Sequence, residues 1–86
     1  MIVSFFGSIQ ENTNGDESIE LSGADRIRAL ADLLGERYGE GFKHFLLDGH
    51  NCIFLVNGSS VVLAGGLDAP LRDSDAVEIL PFVDGG

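Results

Sequence analysis

Few residues in this chain could take part in chemistry. They are a lone thiol at Cys52, imidazoles at His44 and His50, and the closing run "EILPFVDGG", which ends in Gly85, Gly86 and a carboxylate. A single cysteine forms no internal disulfide, and Cys52 opens the apolar run "CIFLV" with no basic neighbour in sequence beyond His50. That setting reads as a small core residue rather than a reactive thiol. The histidines stand six apart, with no second cysteine or carboxylate at a ligand spacing, so no metal site is expected. A four-cysteine iron–sulfur cluster is excluded. The tail remains. It follows a strand-like run, passes through Pro81, Phe82, Val83 and Asp84, and ends without side chains at Gly85 and Gly86. The plain reading of such a tail is a frayed end.

Composition limits what the tail can serve. The 86 residues make one domain, and 44% hydrophobic residues suffice for a packed core. A chain this short buries only about 60–65% of its unfolded surface. Acidic residues number 14 against 5 basic, a formal net charge of −9. Phosphate recognition needs clustered Lys and Arg, so nucleic acid is not the expected partner. The balance suits association with a basic protein surface. No apolar run approaches the roughly 20 residues of a membrane span, and no secretory leader pattern is visible. With the lone cysteine, these features point to the cytosol.

The elements that must position the tail can be read from periodicity. "MIVSFFGSI" reads as a strand and "SIEL" as a second, joined by the polar loop "QENTNGDE" with its Asn14-Gly15 turn signal. From Ser22 to Gly39 the period changes. Ile27, Leu30, Ala31, Leu34 and Tyr38 form one helical stripe, and Ser22 with Asp25 resembles a weak capping box. Gly39 is placed to end the helix. "EGFKHFLLDGHN" reads as a short helical turn or an irregular packed segment. "CIFLV", Asn57-Gly58 and Val61-Val62-Leu63 give a hairpin signal. "AVEIL" is the final strand, and Pro81 removes a backbone donor and stops the ladder. The order is β, β, α, β, β, β, and one helix on one face of a mixed sheet is the economical arrangement. Residues 1–81 form the domain and 82–86 an extended tail. With the first and last strands side by side at the sheet centre, the tail leaves as a free peptide.

The ordered set resembles the β-grasp fold of ubiquitin-like proteins, and within it the sulfur carriers of the molybdopterin-synthase small-subunit and thiamine type. The residues that carry the resemblance are "MIVSFFGSIQE", "ADRIRALADLLGERYG", "FLVNGSSV", "PLRDSDAVEILP" and the terminal "GG". They span the whole chain, and its length favours the molybdopterin type. The resemblance implies that the Gly86 carboxylate is the reactive group. A ubiquitin-activating-type adenylyltransferase would adenylate it with ATP and magnesium, and a sulfur source would convert it to a thiocarboxylate. No cofactor would be bound to the chain itself, which acts as a protein-sized cosubstrate. The acceptor would be the large subunit of molybdopterin synthase, in molybdenum or tungsten cofactor synthesis. Thiamine, cysteine or tRNA thiolation, or ligation to lysines as a modifier, would use the same activation. A ubiquitin-like interaction module that is never activated is the alternative of a different class.

The tail residues suit such a role. Glycine has no Cβ, so Gly85 and Gly86 can thread a narrow, water-excluding site. Pro81 stiffens the exit and lowers the ordering cost of insertion. Phe82 and Val83 would be apolar anchors. Asp84 departs from the small residue common at that position in the family and leaves the acceptor open.

Overall fold

The computed structural model describes residues 1–82. The strands are β1 (Ile2–Phe5), β2 (Ser18–Glu20), β3 (Cys52–Val56), β4 (Ser59–Ser60) and β5 (Ala76–Pro81), and the helices are α1 (Ile27–Tyr38) and α2 (Glu40–Leu47). The sheet order is β2-β1-β5-β3-β4. β1 and β5 run parallel, with Val3 opposite Val77 and Phe5 opposite Ile79. β3 lies antiparallel on the other side of β5, pairing Phe54 with Ile79 and Cys52 with Pro81. The expected central pairing of first and last strands is therefore present.

Alternation along these strands sorts the side chains. Val3, Phe5, Val77 and Ile79 point inward and are fully buried, as are Ile27, Leu30 and Leu34 of the α1 stripe. The core lies between α1 and that inner face. Edge-on aromatic contacts tie β1 to both helices: Phe5 meets Tyr38 at 5.8 Å and Phe42 at 6.3 Å between ring centroids. The Tyr38 hydroxyl donates to Asp16 at 2.7 Å, which fastens the β1–β2 connection to the end of α1.

Several expectations are corrected. The first strand stops at Phe5. Gly7 takes a positive φ of 57°, and Gly7–Asn12 is a 3-10 helix that buries Ile9. Helix α1 starts at Ile27, later than the Ser22 signal suggested, and no side chain caps it. The Ile27 amide donates to the Ala69 carbonyl at 3.2 Å, and Leu71 N–H donates to Asp25 O at 2.9 Å. A connector from across the chain thus supplies the cap, which makes a Ser22–Asp25 box redundant. The segment after Gly39 is a full helix, α2, of 8 residues. Gly39 does end α1, at φ 112°, a conformation strained for any residue with a Cβ.

The hairpin forms as read, with Asn57 and Gly58 both at positive φ and Val56 opposite Ser59. Those dihedrals and the two-residue loop match the mirror-image turn that joins twisted strands. Its second strand is far shorter than expected. Val61-Val62-Leu63 is not a strand but part of a 3-10 helix, Val61–Ala64. Ser60 Oγ accepts from the Val62 amide at 3.2 Å, a local bond that competes with the sheet ladder. Only Val61 enters the core, while Val62 and Leu63 are exposed. Among the described residues, no helix is long and apolar enough to cross a membrane.

Candidate functional site

The candidate site is the point where the chain leaves the sheet at the end of β5. Strand β5 lies between β1 and β3; β1 pairs with it as far as Ile79, and β3 holds its last two residues, Leu80 and Pro81. Pro81 is its final residue and lies opposite Cys52. The ladder does not stop there. The Phe82 amide donates to Asn51 O at 3.1 Å, and Asn51 Nδ2 donates to Phe45 O at 3.2 Å, which links the exit to α2. Pro81 also packs near Gly7, where an added Cβ would lie 3.2 Å from the proline Cγ. Pro81 and Phe82 are therefore held by a backbone bond to Asn51 on one side and by packing of the proline ring near Gly7 on the other.

Phe82 is 56% exposed, beyond the last strand, as its position in the sequence suggested. It borders an apolar hollow of about 180 Å³ lined also by Cys52, Ile53, Val61, Val62 and Leu67. Ile53 sits beside Leu80 on the outward face of the sheet, and both are half-buried. Phe6, just past the end of β1, is also exposed, its amide donating to Ile79 O at 3.0 Å. Sequence reading named Phe82 but missed Ile53, Val62 and Leu67. For Ile53 the signal was present: it alternates against Cys52 and Phe54, which face inward. For Val62 the strand expected over 61–63 concealed it.

The other chemically capable groups lie apart. Cys52 is buried, and burial pushes its thiol up to about 11, so the nucleophilic thiolate is scarce at neutral pH. His44 stands 3.9 Å from Glu40 within α2, exposed, and His50 is exposed in the following loop. Among the described residues no group of His, Cys, Asp or Glu is arranged to hold a metal ion. Val83, Asp84, Gly85 and Gly86, expected to form the anchor and the reactive end, lie outside the described residues.

A mixed five-stranded sheet in the order β2-β1-β5-β3-β4, with helices packed on one face, defines a ubiquitin-like β-grasp protein. The chain belongs to the ThiS family, a family of ubiquitin-like sulfur carriers, whose family model matches residues 3–86. A search of curated protein sequences found no match. Among solved structures, the chain is similar to one in the BexX/CysO complex of Amycolatopsis orientalis. The TM-score is 0.81 at 25% identity, covering 99% of this chain and 98% of that one. The small archaeal modifier protein 1 of Methanosarcina acetivorans matches at 0.79 and 26%, covering 99% and 94%. In the complex of subunits 1 and 2 of the molybdopterin-converting factor of Helicobacter pylori, the match is 0.64 at 30%, covering 99% and 96%.

Proposed function

We propose that this carrier works through the Gly86 carboxylate, activated as an acyl adenylate and converted to a thiocarboxylate. An ionised carboxylate is a poor electrophile, so activation must come first. A ubiquitin-activating-type adenylyltransferase would join the carboxylate to the α-phosphate of ATP with magnesium present, releasing pyrophosphate. Sulfide then displaces AMP to give the thiocarboxylate directly, or a persulfide displaces it to give an acyl disulfide that a second thiol cleaves to thiocarboxylate and a disulfide. The new sulfur is delivered to an acceptor enzyme. The chain contributes reach and placement rather than catalysis. The observation that carries the reading is the exit of β5: a strand inside the sheet, paired with β1 to Ile79 and with β3 to Pro81, ends beside an apolar hollow, with Val83, Asp84, Gly85 and Gly86 still to follow in the sequence. Phe82 and Val83 would seat against a partner while the glycines enter its site.

The acceptor proposed is the large subunit of a molybdopterin-synthase-type complex, supported by 30% identity to a chain of the Helicobacter pylori complex. A second reading takes an acceptor of the kind that binds CysO, supported by the higher TM-score of 0.81 to the chain in the BexX/CysO complex. Both readings share the same activation. The test is incubation with an activating enzyme, ATP, magnesium and a sulfide source, followed by intact mass measurement. The expected result is exchange of one oxygen for one sulfur at Gly86. Deleting Gly86 should abolish it, since one extended residue is about 3.3–3.6 Å of reach. If neither adenylate nor thiocarboxylate forms, the chain is an interaction module instead. Presenting the thiocarboxylated chain to each acceptor type then separates the two readings by which one removes the sulfur.

A further inference from the structure

An activated acyl group threatens any amine within reach, and the chain's own amines are placed unusually. The sequence holds one lysine, Lys43, besides the α-amino group of Met1. Lys43 lies on α2 with its stem laid across α1 at Gly35. A Cβ on Gly35 would stand 2.7 Å from Lys43 Cβ and 3.3 Å from Lys43 Cδ, so only glycine leaves room there. Glycine weakens a helix interior, so this seat has a cost in α1. From it, Lys43 Nζ reaches Asp32 Oδ1 at 2.9 Å, three residues before Gly35 and on the same side of α1. The Lys43 side chain is 29% exposed. The Asp32 bond and charge, with Glu40 and Glu36 close by, hold the ammonium above the usual lysine range. The Met1 ammonium donates to the Leu21 carbonyl, and Met1 is 5% exposed.

Attack on an acyl adenylate needs a free amine with an available lone pair. The amine nitrogen would bond to the acyl carbon, the bond to AMP would break with its electron pair leaving on the phosphate, and the amine would lose a proton to water. The product would be an amide joining two copies. We propose that the fold disarms both amines of this chain, so that its activated glycyl end is passed to other acceptors and not to Lys43 or Met1 of a second copy. This rests on the proposed activation of Gly86. A net charge of −9 acts in the same direction, because two copies repel.

The test avoids the activating enzyme. The folded protein is treated with the N-hydroxysuccinimide ester of acetate, and acetylation of each amine is followed by peptide mass spectrometry. Lys43 and Met1 should both react more slowly in the folded chain than in the chain unfolded by urea. Asp32→Asn should speed Lys43 by about twofold to fivefold, the range set by loss of an exposed ion pair. Asp32→Glu should retain the protection. Glu20→Gln removes the same charge from β2, outside the carboxylates that act on Lys43, and should leave its rate near wild type. Equal rates for Lys43 in the folded and unfolded chains, or Asp32→Asn no faster than Glu20→Gln, would overturn the proposal. Such a result leaves thiocarboxylate formation untouched, and failure of Gly86 to become activated leaves these amine rates untouched.

Discussion

The two faces of the sheet are built from the same strands and do opposite things. On β1 and β5, Val3, Phe5, Val77 and Ile79 face α1 and are fully buried, whereas Ile2 on β1 and Phe6 just past its end remain 47% and 41% exposed. Both sets are apolar, so hydrophobicity alone does not separate them. The helix covers one set and leaves the other open; the hollow beside the exit lies elsewhere, bordered by β3, the 3-10 segments that follow β4, and Phe82. Burial on the inner face supplies the stability that lets the outer face stay uncovered. A protein that must present apolar surface to a partner needs such a division, since exposed apolar patches weaken solubility unless a partner covers them. The net charge of −9 offsets that liability.

Three changes should break or sharpen this contrast. The largest effect is expected from Leu30→Ala on α1. Leu30 is fully buried against the inner face, and such truncations cost about 2–5 kcal/mol. Urea unfolding should show a loss in that range, enough in a domain this small to leave much of the chain unfolded at ambient temperature. A loss under about 1 kcal/mol would mean that α1 carries little of the stability assigned to the inner face.

The second change charges the inner face instead of hollowing it. Cys52 has a folded-state value of about 11, raised by burial, whereas an unfolded thiol titrates near 8.5. The folded state therefore holds its proton longer than the unfolded state does. The stability linked to this group is fully present below the unfolded value and is lost as pH rises through the window toward the folded one. The thermal midpoint should fall between about pH 8.5 and 11, and Cys52→Ala should flatten that part of the profile. An equal slope in the variant would assign the alkaline loss elsewhere, with Tyr38, also raised by burial and by its bond to Asp16, the next group to test.

The smallest change in stability belongs to the outer region. Phe82→Ala should shift unfolding by less than about 0.5 kcal/mol, as for a surface substitution, because the ring lies outside the sheet. Binding to a partner should weaken by more than about 1 kcal/mol, measured by calorimetry. Equal losses in stability and binding would make Phe82 part of the core and erase the distinction between the faces.

What could be read from the sequence followed periodicity. The α1 stripe, the alternation in "AVEIL" and the Asn57-Gly58 turn each depend on near neighbours, and each is present. What could not be read depended on distant partners or on competition within a few residues. The start of α1 is set by the Ala69 carbonyl, far away in sequence, so the local Ser22 and Asp25 signal misled. The strand expected at Val61-Val62-Leu63 had the right residue types, but the Ser60 hydroxyl captured the Val62 amide and turned the chain. Pro81 reads as the stop of the ladder, but it pairs with Cys52 within β5 and the Phe82 amide carries the bonding one step further, to Asn51. The hollow beside the exit was not legible, because Ile53, Val62 and Leu67 come from separate segments. Of the tail residues singled out in the sequence, Val83, Asp84, Gly85 and Gly86 lie beyond the described part of the chain.

The parallel pairing of β1 with β5 also has a mechanical meaning. Tension between the start of β1 and the end of β5 pulls two parallel neighbours in opposite directions along their length. The hydrogen bonds between Ile2–Phe5 and Ala76–Ile79 are then loaded together in shear rather than one after another, as they would be in a hairpin peeled from its open end. The antiparallel bonds from β5 to β3 anchor the same strand on its other flank. A partner that draws the tail into a tight site therefore pulls on the most strongly anchored strand of the sheet, and the domain can be towed by its end without unravelling.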